Sequence, residues 1–274
     1  MDLYDVMRTT FAAREFLPDP IDDATLYRIL DNARFAPSGG NRQGWHVIVI
    51  REPATKAAIA EAAAFLEEAE AHRDAPEGAS ALFSIVGHKA DFMLLHLRPT
   101  LEDLNALERA FARTRLADFT TEGYSYVSVT ELGMYEAQAR GATGADMKEV
   151  PFVKARLKPA IPPARYMTFY PMSKLRGEQV NWYMLPLEER RALMRTHGSI
   201  GHKYFGKVQQ MITGSVGLDD WEWGVTLFAD DPLLFKKLVY EMRFDEGSAR
   251  YALFGPFMVG ARVTPSDLGQ FLNG

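Results

Sequence analysis

His197 lies near the end of a stretch whose helical face runs Leu193, Met194, His197, Gly201, with Gly198 beside it. Glycines at such positions let a large flat ligand approach the backbone while an imidazole nitrogen reaches a metal. The plainer alternative is a helix-end histidine favoured by the C-terminal dipole, and spacing alone favours that alternative. Tyr170 ends an apolar strand and is followed by Pro171-Met172-Ser173-Lys174, so a phenol and an ammonium leave the sheet at one rim. An anionic substrate could meet Lys174 there while Tyr170 donates a hydrogen atom or a proton. A tyrosine with a wet hydroxyl beside a solvated lysine is the commoner arrangement. Arg243, inside Glu241-Met242-Arg243-Phe244-Asp245, offers its fork-shaped guanidinium either to a structural ion pair or to a carboxylate, and the pattern leaves both open. Asp219-Asp220-Trp221-Glu222-Trp223 looks like a metal-binding carboxylate cluster. Strand alternation instead puts Asp220 and Glu222 on one side and the two tryptophans on the other, which reads as a strand entry with a packed aromatic face.

Composition narrows the chemistry these residues could serve. The 274 residues include no cysteine, which removes disulfides, thiolate nucleophiles, iron–sulfur clusters and cysteine zinc sites together. Any metal must use histidine, carboxylate or tyrosine. The net charge of −5 comes with acidic and basic residues interspersed, and no basic arm stands ready for a phosphate backbone, so nucleic acid is excluded as a partner. No apolar run is long enough to cross a bilayer, and Met1-Asp2-Leu3-Tyr4-Asp5 lacks a basic segment followed by an apolar one. A cytoplasmic, folded enzyme with no membrane partner is the expectation.

The elements that must position these side chains follow one order twice. His46 to Ile50 is a β-rich run, Ala54 to Ala71 an Ala/Glu-rich helix, and Ala81 to Val86 and Asp91 to Leu97 are strands joined through Gly87-His88-Lys89. Thr100 caps the next helix with Asp103 three residues on, and Tyr124 to Leu132 alternates as a strand. After a Pro-containing connection from about Glu136 to Pro163, the order returns as strand Arg165 to Tyr170, helix Pro186 to Tyr204, strands near Val208 to Gly214 and Glu222 to Phe228, helix Pro232 to Arg243 and strand Arg250 to Val259. Asp231-Pro232 marks a helix start. The fold class is α+β: two ferredoxin-like halves whose sheets join into a dimeric α/β-barrel-like domain, with a helical N-terminal arm in front. The expected divisions are 1–44 for the arm, 45–135 for the first half, 136–163 for the connection and 164–274 for the second half.

Several ordered motifs carry a resemblance. Phe169-Tyr170-Pro171-Met172-Ser173-Lys174, Asn181-Trp182-Tyr183-Met184-Leu185-Pro186, Met194-Arg195-Thr196-His197-Gly198, the run Thr213 to Val225, and Tyr240-Glu241-Met242-Arg243-Phe244-Asp245 resemble the coproheme-decarboxylating branch of the chlorite dismutase superfamily. Gly87-His88-Lys89-Ala90-Asp91, Leu97-Arg98-Pro99-Thr100 and Tyr124 to Val129 extend the resemblance into the first half. It implies peroxide-driven oxidative decarboxylation of iron-coproporphyrin III (coproheme) to haem b, with hydrogen peroxide and the porphyrin as small-molecule partners and a homopentamer as the assembly. It further implies that His197 is the iron ligand, that Tyr170 abstracts hydrogen from a propionate, and that Lys174 assists. Tyr170, Pro171, Met172, Ser173 and Lys174 would line the ring, Arg156, Met172, Arg243 and Ser248 would line or hold the propionates, and Gln210 would face the distal side of the iron. Chlorite-degrading relatives place an arginine where Gln210 stands, and a neutral amide suits oxidation of the porphyrin's own side chains. Lys158 stands where one branch of relatives carries a tyrosine near a propionate, and Gly247 replaces a usual β-branched residue. No carboxylate stands close behind His197 in sequence, which implies a ferric iron that binds peroxide. A non-catalytic haem-binding or chlorite dismutase-like protein on the same fold is one alternative, and an FMN-dependent nitroreductase is the other.

The first residues are similar to something else. Met7 to Phe16 and Ala36 to Trp45 resemble the start of a nitroreductase-type flavoprotein, in which an Arg segment meets the FMN phosphate and a Pro-Ser loop meets the ring. That sequence stops after one strand and one helix, so an FMN site is expected to be incomplete. His46 to Ile50 supplies a strand where the decarboxylases' first strand is missing, and it is expected to complete the first half's sheet beside the strand around Tyr126.

Overall fold

The computed structural model describes residues 21–33, 53–131, 153 and 156–269. The chain forms two compact units, residues 1–48 and residues 49–274. Within the first, α1 (Asp23–Ala33) starts where the Asp22 carboxylate accepts the Thr25 N–H at 2.9 Å. The flavoprotein-like motifs and the run His46 to Ile50 lie outside the described residues.

The second unit carries the repeated order. In its first half, α2 (Pro53–Glu70) is followed by β1 (Ala79–Val86), β2 (Phe92–Leu97), α3 (Leu101–Phe111) and β3 (Val129–Thr130). In its second half, β4 (Tyr166–Lys174) is followed by α4 (Leu187–His202), β5 (Gln209–Gly214), β6 (Trp223–Ala229), α5 (Leu233–Met242), α6 (Glu246–Tyr251), β7 (Ala252–Phe254) and β8 (Met258–Val263). The strands form one sheet in the order β2-β1-β8-β4-β6-β5-β3, with β7 also on β4, and every strand pairing is antiparallel. The segment β8-β4-β6-β5 is a ferredoxin-like sheet, and the halves join at β1 with β8 and at β3 with β5. The sheet curls. In a flat sheet β1 and β6 would stand three strand spacings, about 14 Å, apart, yet the rings of Phe83 and Phe228 approach to 6.3 Å between centroids.

Alternation along the strands builds two cores. Phe83, Met167, Phe169, Met211, Phe228 and Met258 pack together on the concave face. The other face is covered by helices: Leu82 and Val263 pack under Ala62 and Leu66 of α2, and Tyr170, Val225 and Leu227 pack under Phe235, Leu238 and Met242 of α5. Burying each large apolar side chain contributes roughly 1.5–3 kcal/mol, so the two-sided cover is what holds the curled sheet.

Three expected elements differ. The strand expected to end at Tyr170 runs on to Lys174 through Pro171, because β4 exchanges β8 for β7 there: the pairing with β8 ends at Phe169 and that with β7 begins at Met172, so the missing N–H costs no bond on that edge. The stretch from Arg250 to Val259 is the end of α6 followed by β7 and the start of β8, since Asp245 caps a short helix by accepting the Ser248 N–H at 3.0 Å. Among the described residues of the expected strand around Tyr126, only Val129–Thr130 forms ladder bonds; the preceding residues are held by side chains, with Tyr126 bonded to Ser215 and packed on Phe169, and the Val127 N–H given to Asp219 at 2.9 Å. Thr100 caps α3 as expected, accepting from the Asp103 N–H at 3.1 Å; the shorter Asp103 side chain takes the Thr100 hydroxyl instead of reaching the backbone. The Asp231 carboxylate accepts the Leu233 N–H at 2.9 Å.

Candidate active site

His197 projects from α4, a helix with no buried side chain; Leu193, Met194, His197 and Gly201 form a half-buried face. A β-carbon added at Gly198 would meet nothing within 4 Å, so the backbone beside the imidazole is open to a flat ligand. The imidazole is fixed from behind: Nδ1 lies 3.0 Å from Asp245 Oδ2, and the same oxygen accepts the Ser248 N–H at 3.0 Å and the Ser248 hydroxyl at 3.1 Å. Asp245 is fully buried and engages Nδ1, which leaves Nε2 on the far edge of the ring with no hydrogen bond to it among the described residues. Metal-ligating histidines are held in this way, with the second nitrogen on a carboxylate that fixes the tautomer and raises basicity. This corrects the expectation of no carboxylate behind His197. Asp245 is 48 residues away in sequence and reaches the imidazole only because α6 packs against α4. A β-carbon at Gly247 would stand 3.2 Å from Asp245 Oδ2 and 3.6 Å from Leu193, so a larger side chain there presses on the carboxylate that holds His197.

The sheet presents the other half of the site. Tyr170 and Met172 of β4 pack on the helix-covered face, while Pro171 and Ser173 alternate to the opposite face, where the Ser173 hydroxyl accepts the Glu222 N–H at 3.2 Å. Tyr170 is 7 % exposed, stacks on Phe257 at 4.4 Å and lies 5.8 Å from Phe254. Burial pushes its phenol up to about 12, partly opposed by the Arg243 charge nearby, so the hydroxyl keeps its hydrogen throughout the neutral range. Arg243 in turn sits 4.2 Å over the Phe254 ring. Lys174 is buried, with Nζ 4.3 Å from the centre of the Trp182 ring and donating to the Gly247 carbonyl at 3.1 Å. Burial pulls its ammonium down to about 8, against the charges of Asp245 and Glu222. Gln210 of β5 is paired with Leu227 on the helix-covered face and lies 3.9 Å through its amide nitrogen from the position of a β-carbon on Gly201, one turn along α4 from His197.

The structure therefore gathers Tyr170, Met172, Lys174, His197, Gln210, Arg243 and Ser248 around α4 and the sheet face beneath it. Arg156 stands next to Leu157, whose carbonyl is held by Thr130 of β3, and its shielded Nε has no hydrogen-bond partner. Lys158 is engaged elsewhere, donating to Glu77 at 2.6 Å. Trp182 and Glu222 were not singled out by their patterns as site residues: Trp182 carries the Lys174 ammonium on its ring, and Glu222, 6 % exposed, accepts the Lys174 N–H at 2.7 Å. No cluster of three or more metal-ligating His, Asp or Glu occurs among the described residues.

The curled sheet and the helices over it have known relatives. A profile of the chlorite dismutase family matches residues 55–263, and the chain belongs to that family. It is 55% identical over 204 residues to a coproheme decarboxylase of Staphylococcus saprophyticus, covering 74% of this chain and 81% of that protein. A solved structure of a heme-binding protein from Thermus thermophilus superimposes with a TM-score of 0.73 at 47% identity, over 80% of this chain and 86% of the other. A mutant chlorite dismutase of Candidatus Nitrospira defluvii shares the fold alone, with a TM-score of 0.64 at 21% identity over 81% of this chain and 88% of the other. The matched region begins at residue 55, beyond the flavoprotein-like motifs.

Proposed function

We propose that the protein binds coproheme on His197 and oxidatively decarboxylates its propionates, with hydrogen peroxide as oxidant, to give haem b. The observation that carries this reading is the His197–Asp245 pair, which leaves Nε2 aimed outward beside an open glycine backbone and beneath a sheet face carrying a buried phenol and ammonium. Bound there, the iron supplies the oxidising power drawn from peroxide. Each propionate loses carbon dioxide and one hydrogen to become a vinyl group, while one peroxide and one proton complete the balance as two waters. Tyr170 is the residue that takes the hydrogen atom from the propionate: the resting phenol, protonated at neutral pH, would first give up one electron and its hydroxyl proton to the oxidising equivalents drawn from peroxide and would regain its hydrogen from the propionate, while neighbouring aromatic rings exclude water from it. Lys174 holds a propionate carboxylate with a charge that burial has made easy to neutralise. Arg156, Arg243 and Ser248 hold or line the remaining carboxylates, Met172 lines the ring, and Gln210 faces the iron from the sheet without placing a charge there. Pro171 and Ser173 support the ring only through the strand backbone.

The haem-handling half spans 164–274 in this reading, with 45–135 as its structural counterpart and 136–163 as the connection. A cytoplasmic location is consistent with a cysteine-free chain and with the lack, among the described residues, of any helix long and apolar enough to cross a membrane. A homopentamer belongs to the same reading, and sedimentation equilibrium tests it. The activity test is peroxide titration of the coproheme-loaded protein, followed by mass spectrometry of the porphyrin. The wild type loses carbon dioxide stepwise and Tyr170→Phe does not; decarboxylation retained in Tyr170→Phe removes Tyr170 from the role.

A further inference from the structure

Tyr170 and Pro171 lie where β4 changes partners on one edge, between its last pair with β8, Phe169 with Met258, and its first with β7, Met172 with Phe254. The loop from Gly255 to Phe257 runs along that edge. At one end the Gly255 N–H donates to the Pro171 carbonyl at 2.9 Å, and a β-carbon on Gly255 would stand 2.6 Å from the Pro171 ring and 2.9 Å from Trp221. Two rings of this segment, Phe254 and Phe257, lie on the Tyr170 ring at 5.8 and 4.4 Å between centroids. Phe254 is held in turn by the Arg243 guanidinium over its face. The Phe257 end is held from the first half, because the Lys89 ammonium donates to the Phe257 carbonyl at 2.6 Å.

Lys89 reaches that carbonyl through the way the hairpin of β1 and β2 ends. Val86 of β1 pairs with Val259 of β8, so the turn beyond Val86 overhangs the start of β8 and the loop before it. Gly87 and His88 are left-handed in succession, at φ of +86° and +58°, and the chain reverses there so that the Ile85 N–H donates to the Asp91 carbonyl at 3.0 Å. Left-handed backbone is unfavourable for a residue with a β-carbon, so a tip that keeps His88 in it is held to its shape by more than its own propensity. One hydrogen bond from an exposed lysine adds little to global stability, and its acceptor is what gives this bond a role.

We infer that Lys89 is a positioning residue: by pinning the Phe257 carbonyl it holds the Phe254 and Phe257 rings on Tyr170 and fixes the phenol in the place from which it acts. The inference rests on the role proposed for Tyr170 and makes the hairpin tip of the first half part of that role. A side chain that exchanges a hydrogen atom with a bound substrate tolerates little displacement.

The test uses the full chain as wild type, Lys89→Met and Lys89→Arg. In porphyrin-free protein, amide hydrogen exchange reads the loop directly. Exchange at Gly255 is expected to be about tenfold faster in Lys89→Met and to return to the wild-type rate in Lys89→Arg, whose guanidinium can make the same bond. In coproheme-loaded protein, the kcat of peroxide-driven decarboxylation is expected to fall about tenfold in Lys89→Met, with the KM for peroxide and the affinity for coproheme unchanged, and to recover in Lys89→Arg. Unaltered exchange at Gly255 or unaltered kcat in Lys89→Met overturns the inference. So does a fall in coproheme affinity, which would make Lys89 a porphyrin contact instead. A wild type that never decarboxylates removes the role of Tyr170, and the exchange rates still decide whether Lys89 pins the loop. A wild type that decarboxylates no faster than Lys89→Met removes Lys89 alone.

Discussion

Replacing Asp245 by Asn keeps the size of the side chain and removes its charge, which isolates what the carboxylate does for His197. Asp245 Oδ2 accepts three hydrogen bonds at 3.0–3.1 Å, from His197 Nδ1 and from the N–H and hydroxyl of Ser248, in a side chain with no exposed surface. A hydrogen bond to a charged acceptor contributes about 1.5–3 kcal/mol against about 1 kcal/mol for a neutral one. Three weakened bonds, offset by relief from burying a charge, give an expected loss of about 1–3 kcal/mol, and the new amide N–H₂ finds no acceptor at the position of Oδ1, which has no partner now. Iron-porphyrin affinity is expected to fall about 10–100-fold, the usual cost of losing the carboxylate behind a histidine ligand. Urea unfolding of the porphyrin-free protein reads the first quantity and absorbance titration with coproheme reads the second. Unchanged midpoint and unchanged affinity in Asp245→Asn would refute the argument that this carboxylate orients the imidazole.

Lys174 makes stability depend on pH in a stated direction. Its folded-state pKa is about 8, below the ordinary 10.5, because burial penalises the ammonium, so below pH 8 the folded protein bears the full cost of the charge and the cost is relieved as pH rises from 8 to 10.5. Wild type should therefore gain stability relative to Lys174→Met across that window, by on the order of 3 kcal/mol at most; a difference flat in pH would contradict it. Decarboxylation that relies on the ammonium should decline above about pH 8. Trp182→Leu removes the ring 4.3 Å from Nζ and should shift that decline to lower pH while Trp182→Phe largely restores it, measured as initial rate against pH. Thr100→Ala should cost about 1 kcal/mol through loss of the α3 cap and leave coproheme affinity unchanged, as read by parallel denaturation and binding titrations.

Among the described residues, the order of elements from the Ala/Glu-rich helix onward was legible because the apolar spacing switches between two and 3.6 residues, as in Phe83 and Ile85 against Leu82, or Phe235, Leu238 and Met242. Tyr170 and Lys174 could be placed at one rim of the sheet from their motif, but not on one strand face, because the expected strand ended at Tyr170 and β4 runs on to Lys174. What sequence spacing does not encode is contact between distant elements. Asp245 reads as the acidic end of a helix, and its approach to His197 depends on the turn into α6. Glu222 reads as a solvated strand residue, whereas the pairing of β4 with β6 brings it under the Lys174 N–H. Pro171 reads as a strand end because a proline in a central strand normally loses a ladder bond, and only the exchange of β8 for β7 at that residue spares it. Ser173 sits in a motif with Lys174 and yet serves the opposite face.

The central claim is that iron is held by the Nε2 of His197. Coproheme titration followed at the Soret band, with wild type, His197→Gly, and His197→Gly plus imidazole, tests it most directly. The account predicts an imidazole-ligated spectrum for wild type, its loss in His197→Gly and its return when imidazole fills the vacated space. An unchanged spectrum and affinity in His197→Gly without imidazole would contradict it.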